Sequence, residues 1–303
     1  MARRCVIVPE RKANTGQGHP GRTRLSARSI ALVLLFLVGA AIMLYPAYSY
    51  LYNEYMSARI AAEYESAVDA GDPEQMAALL EQARAYNEAH SANVIFDPFG
   101  EGEAQAEGSA EYQRQLRVPG NAAMAYLEIP KIGQRLPVYH GASTEVLDKG
   151  VGHLPGTSLP VGGASTHCVL SGHRGLPTMK LFTDLDQIEP GDQFYVHVLG
   201  DDLAYEVEET RVVEPNEVAD LAIQPGRDLM TLVTCTPYSV NTHRMLVTGH
   251  RVPYVAPEGA GLFDWLGAFS PQTLALAAAL SLVAIGGLIV LARRLRGRDR
   301  NER

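Results

Sequence analysis

Cysteine is nearly absent from this chain, with three residues in 303. Three are too few for a disulfide framework, and no two of them form a CxxC pair, so zinc chemistry has no support in the sequence. A glycine-rich phosphate loop is missing, and so is any internal repeat, which removes the P-loop nucleotide enzymes and the solenoids. No motif calls for a metal or a cofactor, and none is expected. Charge is missing in a more informative way. No charged residue stands between Arg28 and Glu54, and none between Trp265 and Ala292.

Those two gaps are long and apolar. The first, over residues 30–50, reads "IALVLLFLVGAAIMLYPAYSY"; the second centres on "LALAAALSLVAIGGLIVLA". Ser270 suits the N-cap of the second helix and Pro271 its first position. At about 1.5 Å per residue, residues 271–292 extend about 33 Å, enough to cross a bilayer core. Residues 30–44, behind a basic stretch, also have the make-up of a signal h-region. The apolar run continues past Leu44, which favours an uncleaved anchor.

What is present at the ends sets the orientation. Residues 1–29 carry seven Lys or Arg against Glu10 alone, and residues 293–303 carry six Arg against Asp299 and Glu302. Both ends are therefore expected in the cytoplasm, with everything between the spans outside. The middle keeps 13 of the 26 basic residues and 31 of the 34 acidic ones, a formal charge of −18. Such a surface stays soluble and does not favour nucleic acid. The chain reads as a membrane hairpin presenting an acidic ectodomain. Of the cysteines, Cys5 is cytoplasmic, and Cys168 and Cys235 face the outside. Cysteine arithmetic leaves a 168–235 bridge and two free thiols equally open.

The organisation follows the composition. Residues 1–29 form a basic segment, 30–50 a span, and 51–94 a helical stalk. Within the stalk Asp72 is a candidate N-cap, Pro73 the first helical residue, and Met76, Leu79, Leu80 and Ala83 the face to be buried. Residues 95–121 lose periodicity and turn rich in Gly, Glu and Gln, predicting a mobile loop with few groups to hold it down. Inside that loop "FDPFG" places two aromatics that need a surface to rest on. From 122 to 255 the signals are mainly β: "AMAYLEI", "LPVYH", "THCVLSGH", "DQFYVHVL", "LAYEVEETRVV", "LMTLVTC" and "RMLVTGHR". A hairpin is predicted to turn at Gly200-Asp201-Asp202. "STEVLDKG" and "LPTMKLFTDL" are short helix candidates. Seven or more short strands with little helix predict a closed barrel. Residues 271–292 and 293–303 complete the chain as a second span and a basic tail.

Chemistry is concentrated in "TLVTCTPYSVNTHR", residues 231–244. A cysteine nucleophile needs thiolate character, a proton-transfer partner and donors for the oxyanion that forms on the attacked carbonyl. "TLVTC" delivers Cys235 at a strand exit, and the loop "TPYSVNT" brings the next strand back so that Arg244 returns to its level. Antiparallel neighbours at one level hold their side chains about 5 Å apart. Arg is always charged and donates from a planar fork, which suits an oxygen gaining charge. A buried thiol beside a surface arginine would give the same pattern.

A histidine must complete the set. His19 is cytoplasmic, His90 belongs to the stalk and His197 lies mid-hairpin. His243 points away from the face of Arg244. His140, His153, His167 and His250 lie in or beside strands, where hydrogen-bonded structural imidazoles belong. His173 differs, because "LSGHRGLP" ends a strand in a turn bracketed by Gly172 and Gly175, which leaves the ring open to a cleft.

These residues resemble a known family. "TLVTC" followed by a short loop and arginine is similar to the sortase signature. "VLSGHRGLPTMKLFTDLDQI" is similar to the catalytic-histidine segment of the class C, or pilus-assembly, sortases. "FDPFG" resembles the Asp-Pro-aromatic lid of that class. The resemblance spans about residues 90–255. It implies an eight-stranded sortase-type β-barrel with short helices, to which the stalk and two flanking transmembrane helices are added. It further implies Cys235 as nucleophile, His173 as acid/base, Arg244 as stabiliser of oxyanion or substrate, and Asp97, Pro98 and Phe99 as the lid. The implied reaction is cleavage of an LPXTG-like sorting signal through a thioacyl enzyme and transfer to a lysine of a pilin subunit, with no cofactor, at the membrane of a Gram-positive type cell. Ser239 stands where many members have Gly, and Phe99 where others have Trp. If Cys235 is a nucleophile, Cys168 is expected to be a buried free thiol. Within the family a housekeeping enzyme serving a cell-wall precursor is the nearest alternative. Outside it stand a secreted hydrolase with the same Cys–His pair and a non-catalytic, membrane-anchored pilin-binding protein.

Overall fold

A helix, α1, runs over Ala27–Asp69 and carries Pro46 within it. The computed structural model describes residues 27–90, 108–215, 217 and 219–256. Asp97, Pro98, Phe99, Cys5, the second apolar run and the arginine tail lie outside the described residues. Two compact units divide the chain, Met1–Met43 and Leu44–Arg303. In the first, the described part is α1 as far as Met43, with Leu32, Leu34, Leu35, Phe36 and Leu37 all exposed. Leu34–Asp69 contains a window long and apolar enough to cross a membrane, none of it buried.

In the second unit the stalk ends α1 at "AGDP" and restarts at once. Asp72 caps α2 (Pro73–Ala89) by accepting from Glu74 N at 3.1 Å, with Pro73 opening the helix. Met76, Leu80 and Ala83 are buried in the main core, and Leu79 packs at its edge. Specific polar contacts fix both helices to the domain. The Tyr64 hydroxyl donates to Met124 O at 3.0 Å and accepts from Leu199 N at 3.1 Å. The Asn87 amide exchanges a pair of bonds with the Leu159 backbone, at 3.2 and 2.7 Å.

Eight strands follow: β1 (Ala125–Ile129), β2 (Gln134–His140), β3 (Val151–His153), β4 (Thr166–Ser171), β5 (Gln193–Val198), β6 (Asp201–Val213), β7 (Asp228–Thr236) and β8 (His243–Val252). They close into a barrel in the order β1-β2-β3-β4-β7-β8-β6-β5. β2–β3 and β4–β7 pair in parallel and the remaining neighbours antiparallel. Seven of these strands coincide with the β-branched runs of the sequence. β3 has only three residues with glycine at its centre, too short to alternate and too poor in side chains to announce itself.

Alternation along the strands sorts the residues into two layers. Cys168, Leu170, Met230, Leu232, Met245 and Val247 join the main core. Val169, Val233 and Leu246, one position out of phase, form a second cluster with Val213, Leu147 and Leu154. Each fully buried aliphatic side chain of this kind contributes about 1.5–3 kcal/mol. The second cluster is therefore enough to hold the opposite face of β4, β7 and β8 dry, and that face carries the site.

Three local expectations change. The β5–β6 hairpin turns on Leu199 and Gly200, with φ of 49° and 91°, so it is a two-residue turn with Asp201 already in the strand. "LPTMKLFTDL" forms turns instead of a helix, with only a single 3₁₀ turn at Leu185–Gln187. Remote contacts override its helical pattern: Phe182 N donates to His173 O, and the Lys180 ammonium donates to Ile132 O at 2.8 Å. Residues 108–121 are firmly held, with Tyr112, Leu116 and Val118 buried. The Tyr112 hydroxyl accepts from Gly141 N and meets His153 Nδ1, both at 2.9 Å. Those partners are 29 and 41 residues distant, beyond the reach of local pattern.

Candidate active site

The end of β7 decides what can meet Cys235. β7 lies between β4 and β8. On the β8 side, Cys235 and Arg244 are direct Cα partners in an antiparallel ladder, so their side chains share a face. On the β4 side the parallel register runs up to Ser171 opposite Val233. Two further bonds carry it beyond the formal strand: Gly172 N donates to Val233 O at 3.1 Å, and the Thr234 hydroxyl donates to Gly172 O at 2.8 Å. The next residues in step are His173 and Cys235. Both share the phase of Val169 and Val233, so both stand above the second cluster on the side away from the barrel interior. Three adjacent strand ends bring Cys235, His173 and Arg244 to one level.

The local sequence explains each placement. Gly172 lies where a Cβ would come within 2.8 Å of the Phe182 ring, and Gly175 adopts φ of +81° with a Cβ position 2.9 Å from the Tyr238 ring. The two glycines that bracket His173 thus allow close packing on both sides of the turn. Cys235 is 8% exposed and Arg244 is 8% exposed, while the His173 side chain keeps 27% of its surface. The imidazole is the most open of the three.

The His173 imidazole combines partial burial with a facing carboxylate. Burial lowers its pKa below the ordinary histidine range, and the charge of Asp148, with Oδ1 3.6 Å from Nε2, acts in the opposite direction. Asp148 follows the short helix α3 (Thr144–Leu147). Its position facing the imidazole has no sequence signal, because the contact spans 25 residues. Burial drives His140 and His153 down to about 4, and their Nε2 atoms meet Gln115 O at 2.7 Å and Ser158 O at 2.8 Å. His167 is fixed by Thr231 Oγ1 and Ala222 O. Burial also opposes charge on His197, but Glu128 and Asp202 outweigh it and raise the pKa. His250 lies 3.3 Å from Glu208, and His243, paired with Thr236, is out of phase with Arg244. These imidazoles are structural.

Arg244 is held by its own loop. Nη1 donates to His243 O at 3.2 Å and to Asn241 O at 3.3 Å. In the loop between β7 and β8, Ser239 and Asn241 adopt φ of 63° and 60°. Ser239 therefore keeps the left-handed conformation that glycine adopts most readily, so the serine leaves the turn in place.

The second thiol is excluded from this chemistry. Cys168 pairs with Met230, five residues down the strand from Cys235, and points into the barrel. No disulfide joins Cys168 to Cys235. Burial pushes the Cys168 pKa well above the ordinary thiol range, with Asp228 adding to the effect. Among the described residues no group of three His, Cys, Asp or Glu side chains is arranged to hold a metal ion.

A further cation went unnoticed in the sequence. Arg174 follows His173, its side chain is 9% exposed, and Nη2 meets Asp186 Oδ2 at 2.6 Å. Nη1 lies 3.4 Å from the hydroxyl of Thr236, the residue after Cys235.

Comparison with known proteins places the fold. Residues 127–252 match the family described as Sortase domain. The fold is similar to the crystal structure of sortase C-1 from Streptococcus pneumoniae, with a TM-score of 0.60 and 47% identity, covering 64% of this chain and 98% of that one. Sortase C-1 from Actinomyces oris is similar at a TM-score of 0.56 and 47% identity, covering 60% and 99%. Sortase D of Bacillus subtilis is 30% identical over 151 residues, 49% of this chain and 71% of that protein.

Proposed function

This chain belongs to the sortase family of cysteine transpeptidases, and from that premise we propose that Cys235, His173 and Arg244 are its catalytic residues and pilin subunits its substrates. The observation that supports the assignment most is the common level of the three groups at the ends of β7, β4 and β8. A sortase C of Streptococcus pneumoniae described for its pilin substrate specificity, 43% identical to this chain, supports the pilin substrate.

The steps follow from the groups. The Cys235 thiolate attacks the Thr–Gly carbonyl carbon of an LPXTG-like sorting signal. The carbonyl oxygen takes up negative charge and is stabilised by the Arg244 guanidinium. As the tetrahedral intermediate collapses, the C–N bond breaks and the imidazolium of His173 protonates the departing glycine amine. A thioester remains on Cys235. A lysine amine of a second pilin then attacks that thioester, gives its proton to neutral His173, and expels the thiolate, leaving an isopeptide bond. Proton and charge return to their starting places. A depressed His173 pKa helps the second half, in which the imidazole must be a base, and Asp148 helps the first, in which it must hold a proton.

The test uses the purified chain with a peptide carrying the sorting signal, with and without a lysine donor, read by mass spectrometry. Transpeptidation gives the isopeptide-linked product and consumes donor. Only hydrolysed peptide, at an unchanged rate with donor present, would reject the transferase reading.

The chain is anchored in the membrane in this reading. The apolar window in Leu34–Asp69 supports the first span, and the apolar run over 271–292 supports a second, with the arginine-rich ends inside. Asp97, Pro98 and Phe99 are assigned the role of a lid in this reading, on their resemblance to the Asp-Pro-aromatic segment of class C sortases: a carboxylate able to pair with an arginine and a ring able to cover a thiol. Substrate needs both places, so the closed form reacts slowly. Replacing Asp97 and Phe99 together by Ala is expected to raise the rate of Cys235 modification by a thiol reagent at least fivefold. An unchanged rate would remove the lid from the account.

A further inference from the structure

The Arg174 side chain is largely enclosed, with only 9% of its surface exposed. It follows His173 directly, and Thr236 follows Cys235 directly. Arg174 lies in the bend beyond the end of β4, and Thr236 closes β7. One guanidinium therefore links the two segments that carry the nucleophile and the acid/base, with Nη1 3.4 Å from Thr236 Oγ1. Its other amino group is anchored at 2.6 Å on Asp186, within the 3₁₀ turn Leu185–Gln187, whose Leu185 is fully buried in the core. The next residue is fixed as well: Gly175 N donates to Thr183 Oγ1 at 3.1 Å. The Arg174 Nε is buried with no hydrogen-bond partner. A buried donor without an acceptor is costly. Lysine would avoid that cost and still reach Asp186, but one ammonium does not reproduce a planar fork directed at two partners.

We propose that Arg174 is a positioning residue for the transpeptidation, a strut from the Asp186 turn to Thr236 that sets the His173 imidazole against the Cys235 sulfur. The inference rests on the reading of Cys235 and His173 as the reacting pair. Proton transfer between those groups depends on separations of a few ångströms, and a displacement of about 1 Å can cost ~100-fold in rate. Loss of one strut, with the strand register intact, should cost less, about tenfold. Binding of the sorting signal is not touched, so the loss should fall on kcat.

The experiment measures kcat and KM of the full chain in detergent for Arg174→Lys, Asp186→Asn and the double variant, each normalised to Cys235 thiols titrated with a fluorogenic reagent. Arg174→Lys is expected to lose about tenfold in kcat with KM within twofold, and Asp186→Asn about threefold. The double variant is expected to be no worse than Arg174→Lys, since both act through one strut. Normal kcat per titrated thiol in Arg174→Lys, or losses that multiply in the double variant, would overturn the strut. Asp186 is half exposed, so its substitution does not endanger folding. If Arg174→Lys fails to fold, Asp186→Asn decides alone, and an unchanged kcat overturns the proposal. A Cys235→Ala control that still turns over peptide would instead overturn the assignment of the nucleophile.

Discussion

Cys235→Ala is expected to leave a folded protein with no measurable transpeptidation, a loss of at least about 10⁴-fold. Among the described residues the one other thiol is Cys168. Cys168 cannot substitute, because it points into the core five residues away in register and its thiol is held protonated by burial. Folding should survive, since the sulfur sits at the rim of the second cluster and its removal leaves Val233 and Leu246 in contact. Melting is expected to shift by only a few degrees. Intact mass after incubation with sorting peptide provides the check: the wild type gains the acyl fragment and the variant gains nothing. Cys168→Ala serves as the control and should acylate normally. A non-catalytic pilin-binding protein would behave the other way, with Cys235→Ala leaving pilus assembly intact in cells.

Much of this site is legible in the sequence because its three main groups are marked by local chemistry. Cys235 ends a strand of β-branched residues. Arg244 begins the next one after a short loop, and antiparallel return places the two side by side. His173 stands out because Gly172 and Gly175 flank it, and the same glycines prove to be sites where a side chain would strike Phe182 or Tyr238. The strands are legible for a similar reason, since alternation is a property of neighbouring residues. β3 escapes because three residues with a central glycine cannot show a period. Asp148, Arg174 and Asp186 escape for a different reason. Their roles come from contacts across 12 to 62 residues of chain, and nothing in the local pattern says which surface acid or base will be turned toward a cleft. The "LPTMKLFTDL" segment shows the same limit in reverse. Its spacing is helical, but bonds to His173 O and Ile132 O, made by residues within it, hold it in turns.

The two thiols illustrate how structure closes a question that composition leaves open. Counting cysteines allows a bridge between residues 168 and 235. The register forbids it, because one side chain is in phase with Met230 and Leu232 and the other with Val233. A bridge would have to cross the sheet itself.

Arg244→Ala is expected to lower kcat/KM by 10²–10³-fold, the size of effect found when one oxyanion donor is removed from an acyl-transfer site. The loss should fall mainly on kcat, since the oxygen carries full charge only in the transition state. Arg244→Lys should recover little of it. The wild-type side chain uses Nη1 on the carbonyls of Asn241 and His243, which fixes the plane of the guanidinium. An ammonium can satisfy those carbonyls or reach the oxyanion, and its geometry does not serve both. Stability should change little, because Asn241 is on the exposed loop and water can replace the lost donor. Steady-state kinetics with a fluorogenic sorting peptide separate the two possible roles. A fall in kcat with KM nearly constant assigns Arg244 to the transition state. A rise in KM with kcat preserved would assign it to holding the signal peptide in the ground state, and the oxyanion would then need another donor from the backbone at the end of β7.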